Sequence, residues 1–222
     1  NGEEAEKIRL ALEKADWVVR SVDRKERRRN AAPPFTTSKL QQDSSRKLRF
    51  SVKRTMMIAQ RLYEGVELGE EGSVGLITYM RTDSVNLAAE ALNEIRALIS
   101  KRYGDDNVPE APLLYKTKSK NAQEAHEAVR PTSAERIPEQ MKKHLTPDQF
   151  KLYELIWKRT ISCQMTPAVL DTVAVDLEAG TGNVSRATGS TVVKPGFMAV
   201  YQEGTDEKRP EDDEEALLPA ML

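Results

Sequence analysis

The sequence predicts a mixed α and β protein with more than one domain, in which a helical domain is inserted into a discontinuous antiparallel β domain. Apolar residues recur at helical spacing through residues 36–167, with glycine and proline as breaks. The two ends, 1–35 and 168–222, are richer in strand-forming patterns. To build one sheet domain, these two ends would have to meet in space.

The composition is typical of a soluble protein with a limited core. The chain has 222 residues, a length that is enough for one large or two modest domains. Of these residues, 39% are hydrophobic and 31% are charged, so much of the surface is expected to be exposed to water. No apolar run approaches the roughly 20 residues that span a bilayer, so no membrane partner is expected. The single cysteine, Cys163, excludes a disulfide framework and favours a reducing, cytoplasmic setting. Because the chain starts at Asn1, we expect it to be a piece of a longer protein.

The net charge of −1 conceals three charged blocks. Residues 20–29 hold six basic and two acidic residues, and residues 36–61 hold seven basic residues and one acidic residue. Residues 203–215 hold eight acidic and two basic residues, in a tail that is expected to be flexible. The basic blocks can bind phosphates, although each one alone is equally typical of a solvated surface.

The amino-terminal end is predicted to contain one helix and one strand. Residues 3–17 favour an amphipathic helix, and residues 17–22 favour a strand that runs into the first basic block. The apolar stripe of this helix consists of Ala5, Ile8, Leu12 and Ala15. The breaker at 31–34 marks a hinge or domain edge.

The helical block is predicted to begin with two helices. Leu40, Ser44 and Leu48 share a face of the first, and Ser51 is a candidate N-cap for the second. The buried stripe of the second helix is predicted to be Val52, Met56, Ala59 and Leu62, with Met56 and Met57 as core filling. Residues 65–75 indicate a surface loop or short hairpin.

Three further helices are predicted in this block. The first is capped by Asp83 or Ser84 and stops at Gly104. A short one covers 137–144, and the strongest begins at Thr146 with capping-box spacing and ends before Thr166-Pro167. The core side of this last helix is predicted to consist of Phe150, Tyr153, Ile156 and Trp157.

The carboxy-terminal end changes to strand periodicity. Val173, Val175 and Leu177 alternate with polar or small residues and predict a half-buried strand. Residues 180–183 favour a hairpin turn, and 184–193 and 197–201 favour further strands.

The segment 75–84 carries the candidate chemistry. In an extended run, Tyr79, Arg81 and Asp83 point to one face, and Thr78, Met80 and Thr82 point to the other. A phenol is a poor nucleophile at neutral pH because its ordinary pKa is about 10, but an adjacent guanidinium favours the phenolate and binds a phosphate. The pair can therefore attack a phosphodiester. The alternative is a half-buried tyrosine beside an ordinary ion pair between Arg81 and Asp83.

A second constellation surrounds His126. Its neighbourhood resembles the His-Glu-x-x-His zinc signature, but Arg130 stands where the second histidine would be, so a zinc protease is not expected. If this stretch is a helix, His126 and Arg130 share a face and could grip a phosphate. The alternative is a surface histidine held by Glu124 or Glu127.

Several ordered motifs resemble those of the bacterial type IA DNA topoisomerases. They read PFTTSKLQQ at 34–42, TMMIAQRLYE at 55–64, ITYMRTDS at 77–84, QEAHEAVRP at 123–131 and CQMTPA at 163–168. The resemblance implies a β arch domain, 1–35 and 168–222, that carries a helical domain with the active-site tyrosine, 36–167. In that family the arch swings to admit a DNA strand.

The resemblance also implies roles for single residues. Tyr79 would be the nucleophile that joins the 5′-phosphate at a single-strand break, Arg81 would stabilise the developing charge, and His126 would hold a neighbouring phosphate. Asp83 would orient Arg81. The weaker candidates for DNA contacts are Lys39, Arg46, Lys47, Lys53, Arg54, Asp83 and Arg130.

The expected partners follow from the same resemblance. They are single-stranded DNA, negatively supercoiled DNA, and a separate acidic domain that binds Mg²⁺ in the full enzyme. The resemblance also implies that the full enzyme is cytoplasmic and associated with the nucleoid. Nothing in this chain matches that domain, so no metal site is expected here, and the chain alone is expected not to relax supercoiled DNA. Two alternatives are a non-catalytic DNA-binding module and a purely structural hinge piece.

Overall fold

The computed structural model of the chain describes residues 1–115, 126–180 and 182–202. It has mixed α and β structure with antiparallel strand pairs, as predicted. Two compact units are present, one built from Asn1–Arg29 and Val169–Lys194 and the other from Asn30–Ala168 and the segment after Lys194. The acidic tail and Glu124, for which predictions were made above, lie outside the described residues.

The first unit contains one helix and a three-stranded sheet. Helix α1 spans Gly2–Lys14, and the strands are β1 (Trp17–Arg29), β4 (Ala168–Ala179) and β5 (Asn183–Lys194), in the order β1-β4-β5. β4 and β5 pair antiparallel, and the hairpin turn between them uses positive φ at Gly180 and Gly182, which glycine tolerates. The two carboxy-terminal strands and their turn are therefore confirmed.

Fewer side chains of this unit are buried than the sequence predicts. Strand β1 continues through the whole basic block to Arg29, and all of its residues are exposed. Helix α1 forms, but Ile8 is 49% exposed, and no residue of the helix is buried. The expected alternation along β4 is also absent, because Val173, Val175 and Leu177 are half-buried, as are Ala174 and Asp176, whereas Thr172 is buried.

The second unit is mainly helical. Its elements are α2 (Thr37–Asp43), a π-helical turn (Ser44–Leu48), α3 (Val52–Glu64), a hairpin of β2 (Val66–Glu67) and β3 (Ser73–Val74), α4 (Ala89–Tyr103), α5 (Pro138–Met141) and α6 (Pro147–Ser162). The Ser51 hydroxyl accepts the amide of Arg54 at 3.2 Å, and Thr146 forms a capping box with Gln149. Both caps confirm helix starts that the sequence predicts.

Helix α6 is central to the core of this unit. Tyr153, Ile156 and Trp157 are buried as predicted, whereas Phe150 is half-buried. The polar tips of two buried rings are satisfied by backbone carbonyls, since the Tyr153 hydroxyl donates to Arg136 O at 2.6 Å and Trp157 Nε1 donates to Ala134 O at 2.9 Å. Burial raises the pKa of the Tyr153 phenol, which therefore stays protonated at neutral pH.

A buried charged cluster ties three parts of this unit together. Asp43 and Arg159 are each 3% exposed, and their side chains approach to 3.8 Å. Arg159 Nε donates to Pro33 O at 2.6 Å, and its guanidinium stacks over the rings of Phe35 and Tyr201. The Tyr201 hydroxyl donates to Asp43, and burial together with this bond raises the pKa of the phenol. The cluster anchors the last described segment against the helices.

Several predictions for the elements of this unit are wrong. Helix α4 begins at Ala89 without a cap from Asp83 or Ser84, because the Ser84 hydroxyl instead accepts the Asn86 amide at 3.1 Å and the chain stays extended. The predicted stripe of α3 is right at Ala59 and Leu62, but Val52 is 55% exposed and Met57 is 48% exposed. The buried face instead includes Thr55 and Ile58. The strand predicted at 197–201 is replaced by a 3₁₀ turn over Gly196–Ala199.

The substitution Gly196→Ala is expected to lower the free energy of unfolding by about 2 kcal/mol or more. Gly196 has φ +48, and a Cβ there would lie 2.5 Å from the carbonyl oxygens of Thr166 and Pro167. Gly69→Ala is the matched control, because Gly69 has φ +75 but open space around it, so only the conformational cost of about 1 kcal/mol applies. Urea denaturation measures both, and equal losses would show that the steric clash contributes nothing.

Within the ranges that the structure describes, no helix is both long and apolar enough to cross a membrane.

Candidate active site

The segment with Tyr79 is extended and alternates in burial as predicted. Tyr79 is 49% exposed, whereas Met80 and Thr82 are buried, and the exposed Arg81 and Asp83 share the face of the tyrosine. The strand expected here is reduced to a single β-bridge, because beyond Thr78 the chain leaves its neighbour and bonds to α2.

Thr78 forms the first anchor of this segment. Its amide donates to Arg130 O at 2.9 Å, and its hydroxyl donates to Ala128 O at 2.7 Å. The neighbouring Val129 amide donates in turn to Phe35 O at 2.8 Å. The backbone immediately before Tyr79 is therefore fixed by the segment 128–130, which is itself held by Phe35.

Thr37, the first residue of α2, forms the second anchor. Its hydroxyl donates to Met80 O at 2.8 Å and accepts the Thr82 amide at 2.8 Å. Its own amide donates to Thr82 O at 2.9 Å. The backbone on both sides of Arg81 is thus held by one threonine, so Tyr79 and Arg81 lie on a short, rigid segment between two anchors.

The substitution Thr37→Ala is expected to make the Thr82 amide exchange with solvent at least about 10-fold faster and to lower the free energy of unfolding by about 1–2 kcal/mol. The reason is that the Thr82 amide and the Met80 carbonyl lose the hydroxyl that binds them. Hydrogen exchange measures this directly. Thr37→Ser keeps the hydroxyl and should preserve slow exchange; if both variants exchange alike, the hydroxyl is not the anchor.

The side chain of Tyr79 is available for reaction. Its ring packs edge-on against Tyr63 of α3, with the centroids 5.4 Å apart. Its hydroxyl makes no hydrogen bond to any residue in the described ranges. A half-exposed phenol with a supported ring and an unbound hydroxyl can be reached by a substrate.

The cation beside it is also available. Arg81 is exposed and forms no ion pair or hydrogen bond within the described ranges, and the same is true of Asp83. The contact expected between Asp83 and Arg81 is therefore not formed, because both side chains project into water, where such a pair gains little. This also removes the ordinary ion pair on which the alternative interpretation depends.

His126 is exposed and is the first described residue after the gap at 116–125. The helix considered for this stretch is wrong for residues 126–130, which are extended because Ala128 and Val129 donate to the backbone of Asn86 and Phe35. No hydrogen bond or ion pair joins His126 to Tyr79 or Arg81 among the described residues.

Arg130 is tied into the fold. Its side chain is 13% exposed, and its guanidinium donates to both carboxylate oxygens of Glu127, at 3.2 and 2.7 Å, and to Pro131 O at 2.8 Å. Glu127 also accepts the Ala88 amide at 2.6 Å. The pair links this segment to the start of α4, so the geometry gives Arg130 a structural contact rather than an open phosphate site. Glu127 binds Arg130 rather than His126.

The other basic candidates differ in how many contacts their side chains make with the rest of the protein. Lys53 is exposed without a partner in the described ranges, and Lys39 donates only to Gln42 at 3.2 Å. Arg54 binds Asp148 and stacks over Phe50. The remaining two pack near buried groups, Arg46 at 3.8 Å from Asp43 and Lys47 over the ring of Tyr201.

Sequence reasoning assigned no role to two residues that support this site. Thr37 and Tyr63 both lie inside the quoted motifs, and paired hydroxyl residues at 36–37 were the only signal for the anchor. In the described part of the chain, no group of three or more histidine, cysteine, aspartate or glutamate side chains is arranged to hold a metal ion. The acidic side chains in the described ranges therefore do not fit a Mg²⁺ site.

The site therefore holds an accessible phenol on an anchored backbone and an exposed arginine two residues further on, groups that can serve as a nucleophile and as a phosphate-binding cation. A sequence model described as DNA topoisomerase matches residues 1–221, so the chain belongs to the DNA topoisomerase family.

Similar proteins agree with this assignment. DNA topoisomerase 1 of Xylella fastidiosa (strain Temecula1 / ATCC 700964) is 61% identical over 204 residues, which are 91% of this chain and 25% of that protein. DNA topoisomerase 1 of Rickettsia bellii is 48% identical over 222 residues, covering all of this chain and 27% of that protein. The solved structure of full-length topoisomerase I from Thermotoga maritima has a TM-score of 0.76 and 37% identity, over 91% of this chain and 33% of that one. The chain spans about a quarter of the length of the curated relatives.

Proposed function

We propose that this chain supplies the tyrosine and arch portions of a type IA DNA topoisomerase, which relaxes negatively supercoiled DNA by cutting and rejoining one strand. The observation that carries the proposal is the exposed Tyr79 held beside the unpaired Arg81 on an anchored segment. The first unit is built from two separate sections of the chain, Asn1–Arg29 and Val169–Lys194. This supports an arch formed by 1–35 and 168–222 that carries a helical domain at 36–167.

In the proposed reaction the Tyr79 hydroxyl attacks the phosphorus of a DNA phosphodiester. A bond forms between the phenolic oxygen and phosphorus, and the bond from phosphorus to the 3′-oxygen of the preceding deoxyribose breaks. The phenolic proton is lost, and the leaving 3′-oxygen takes up a proton. Because the 5′-phosphotyrosine link is itself a phosphodiester, the reverse step reseals the strand without ATP.

The residues around Tyr79 would assist by charge. Arg81 would bind the attacked phosphate and stabilise the charge that develops on its oxygens. His126 would hold a neighbouring phosphate. Of the basic candidates, Lys39 and Lys53 are the most accessible for contacts with the DNA backbone.

The Mg²⁺ ion of the full enzyme would be held by an acidic domain outside this chain, and it would offset the charge of the bound phosphates. The competing function is a non-catalytic DNA-binding module. The ion pairing of Arg54 and the stacking of Lys47 leave its basic surface smaller than the sequence indicates.

A chimeric enzyme tests the proposal. The matching quarter of the Xylella fastidiosa DNA topoisomerase 1 is replaced by this chain, and the chimera is incubated with Mg²⁺ and supercoiled plasmid. Relaxation by the chimera, with none by the isolated chain, is the expected result. Salt-dependent binding of DNA by an inactive chimera that forms no covalent product would favour the non-catalytic module, and relaxation by the isolated chain would contradict the need for another domain.

A further inference from the structure

A groove lined by polar side chains and by apolar surface lies on the exposed side of α2. Its volume is about 310 Å³, near the lower limit for sites that bind small molecules. Ser38, Gln41 and Gln42 follow the spacing i, i+3, i+4, which places them on one face of α2. The lining consists of Ser38, Gln41, Gln42, Ser45, Arg46 and Val52.

The groove adjoins the anchored segment. Ser38 directly follows Thr37, whose hydroxyl and amide hold the backbone around Arg81. Since a helix rises 1.5 Å per residue, Gln41 lies about 6 Å along the axis from Thr37. Nucleotides in a stacked strand are spaced by about 3.4 Å, so the stretch of α2 from Thr37 to Gln41 corresponds to about two nucleotides of a strand.

The chemistry of the lining suits a nucleobase better than a phosphate. Gln41 presents a donor and an acceptor, the combination that reads base edges, and Gln42 presents its amide donor while its Oε1 accepts Lys39 Nζ at 3.2 Å. Val52 of α3 is 55% exposed and offers an apolar surface to the face of a base. The only cation among the lining residues is Arg46, which lies 3.8 Å from Asp43.

The backbone of the groove is unusual. Ser45 and Arg46 belong to the π-helical turn Ser44–Leu48, a conformation that is rare and is concentrated at functional sites. The turn ends at Arg49, which has φ +58 and is the only non-glycine residue with positive φ among those described. The wider turn separates Ser45 and Arg46 from the regular helix and shapes one end of the groove.

We propose that this groove binds one base of the cleaved single strand and, by discriminating among bases, influences where the strand is cut. The proposal rests on the proposed function for the position of the phosphate at Arg81. The neutral amides select the base, whereas the exposed lysines of the same helices contribute attraction without selectivity.

Binding of single-stranded DNA by the full chain tests this. Fluorescence anisotropy at low salt is measured with labelled homopolymers of adenine, cytosine or thymine. The unaltered chain is expected to prefer one base, and Gln41→Ala, alone and with Gln42→Ala, is expected to weaken binding of that homopolymer by about 5-fold or more. The weaker homopolymers should change little, and the salt dependence should stay the same, since no phosphate contact is removed.

Two matched controls separate the groove from general effects. Gln140→Ala removes an exposed glutamine from α5 and should leave binding unchanged. Lys53→Ala removes an exposed lysine that has no partner in the described ranges, so it should weaken all three homopolymers alike and reduce the salt dependence. Circular dichroism melting shows whether each variant is folded.

The possible outcomes are distinct. Equal affinity for all homopolymers, or an unchanged preference in folded Gln41→Ala and double variants, overturns the groove proposal. A base preference lost in the glutamine variants supports it, even if the chimera forms no covalent product and the proposed catalytic function fails. Absence of any binding by the unaltered chain overturns the groove proposal as well.

Discussion

Replacement of Tyr79 by phenylalanine is expected to reduce covalent attachment of DNA to the chimeric enzyme by at least about 10³-fold, because the attacking oxygen is removed. The variant should fold normally, with a free energy of unfolding within about 0.5 kcal/mol of the original. The ring and its contact with Tyr63 are kept, and the lost hydroxyl makes no hydrogen bond in the described ranges. Attachment is measured by electrophoresis of labelled single-stranded DNA after denaturation.

Tyr63→Phe is the matched control for this prediction. Tyr63 is 40% exposed and packs against Tyr79, so both variants remove one phenolic hydroxyl from the same surface. Attachment should persist in Tyr63→Phe at close to its original level. If both variants lost attachment equally, or if Tyr79→Phe retained it, Tyr79 could not be assigned as the nucleophile.

Arg159→Met is expected to lower the free energy of unfolding by about 3–5 kcal/mol. The substitution leaves the carboxylate of Asp43 buried with weaker compensation and removes the donor to Pro33 O. It also removes a cation that stacks on Phe35 and Tyr201. Urea denaturation of the full chain measures the loss, and the last described segment should become more susceptible to proteolysis.

Two comparisons isolate the cause of that loss. Arg54→Met removes an ion pair with Asp148 in which the arginine side chain is 50% exposed, and it should cost less than about 1 kcal/mol. Adding Asp43→Asn to Arg159→Met should recover part of the lost stability, because no uncompensated charge remains. Equal costs for Arg159→Met and Arg54→Met would contradict the importance of burial.

Local signals in the sequence predicted many of the elements. The capping box at Thr146 and the serine at 51 specify helix starts through contacts three residues away, so they can be read without knowledge of the fold. The two-residue period from Tyr79 to Ser84 likewise predicted which side chains are exposed. The catalytic and DNA-binding roles of the candidate residues stay predictions.

The failures concern contacts between distant parts of the chain. Periodicity could not show that Glu127 binds Arg130 or that Ala128 donates to Asn86, and so a helix was considered where the chain is extended. Periodicity also could not show which face of α3 is covered by the rest of the unit. Met57 was therefore predicted to fill the core, although it is exposed. The apolar stripe of α1 has helical spacing, but spacing does not specify a partner.

The most direct test of the central claim is to identify the residue that becomes bonded to DNA. The chimera is reacted with single-stranded DNA and denatured, the complex is digested with protease and nuclease, and the nucleotide-bearing peptide is sequenced by mass spectrometry. We expect the modification on Tyr79, with the 5′-phosphate attached to its phenolic oxygen. A modification on any other residue, or a 3′-phosphate linkage, would contradict the mechanism proposed for this site.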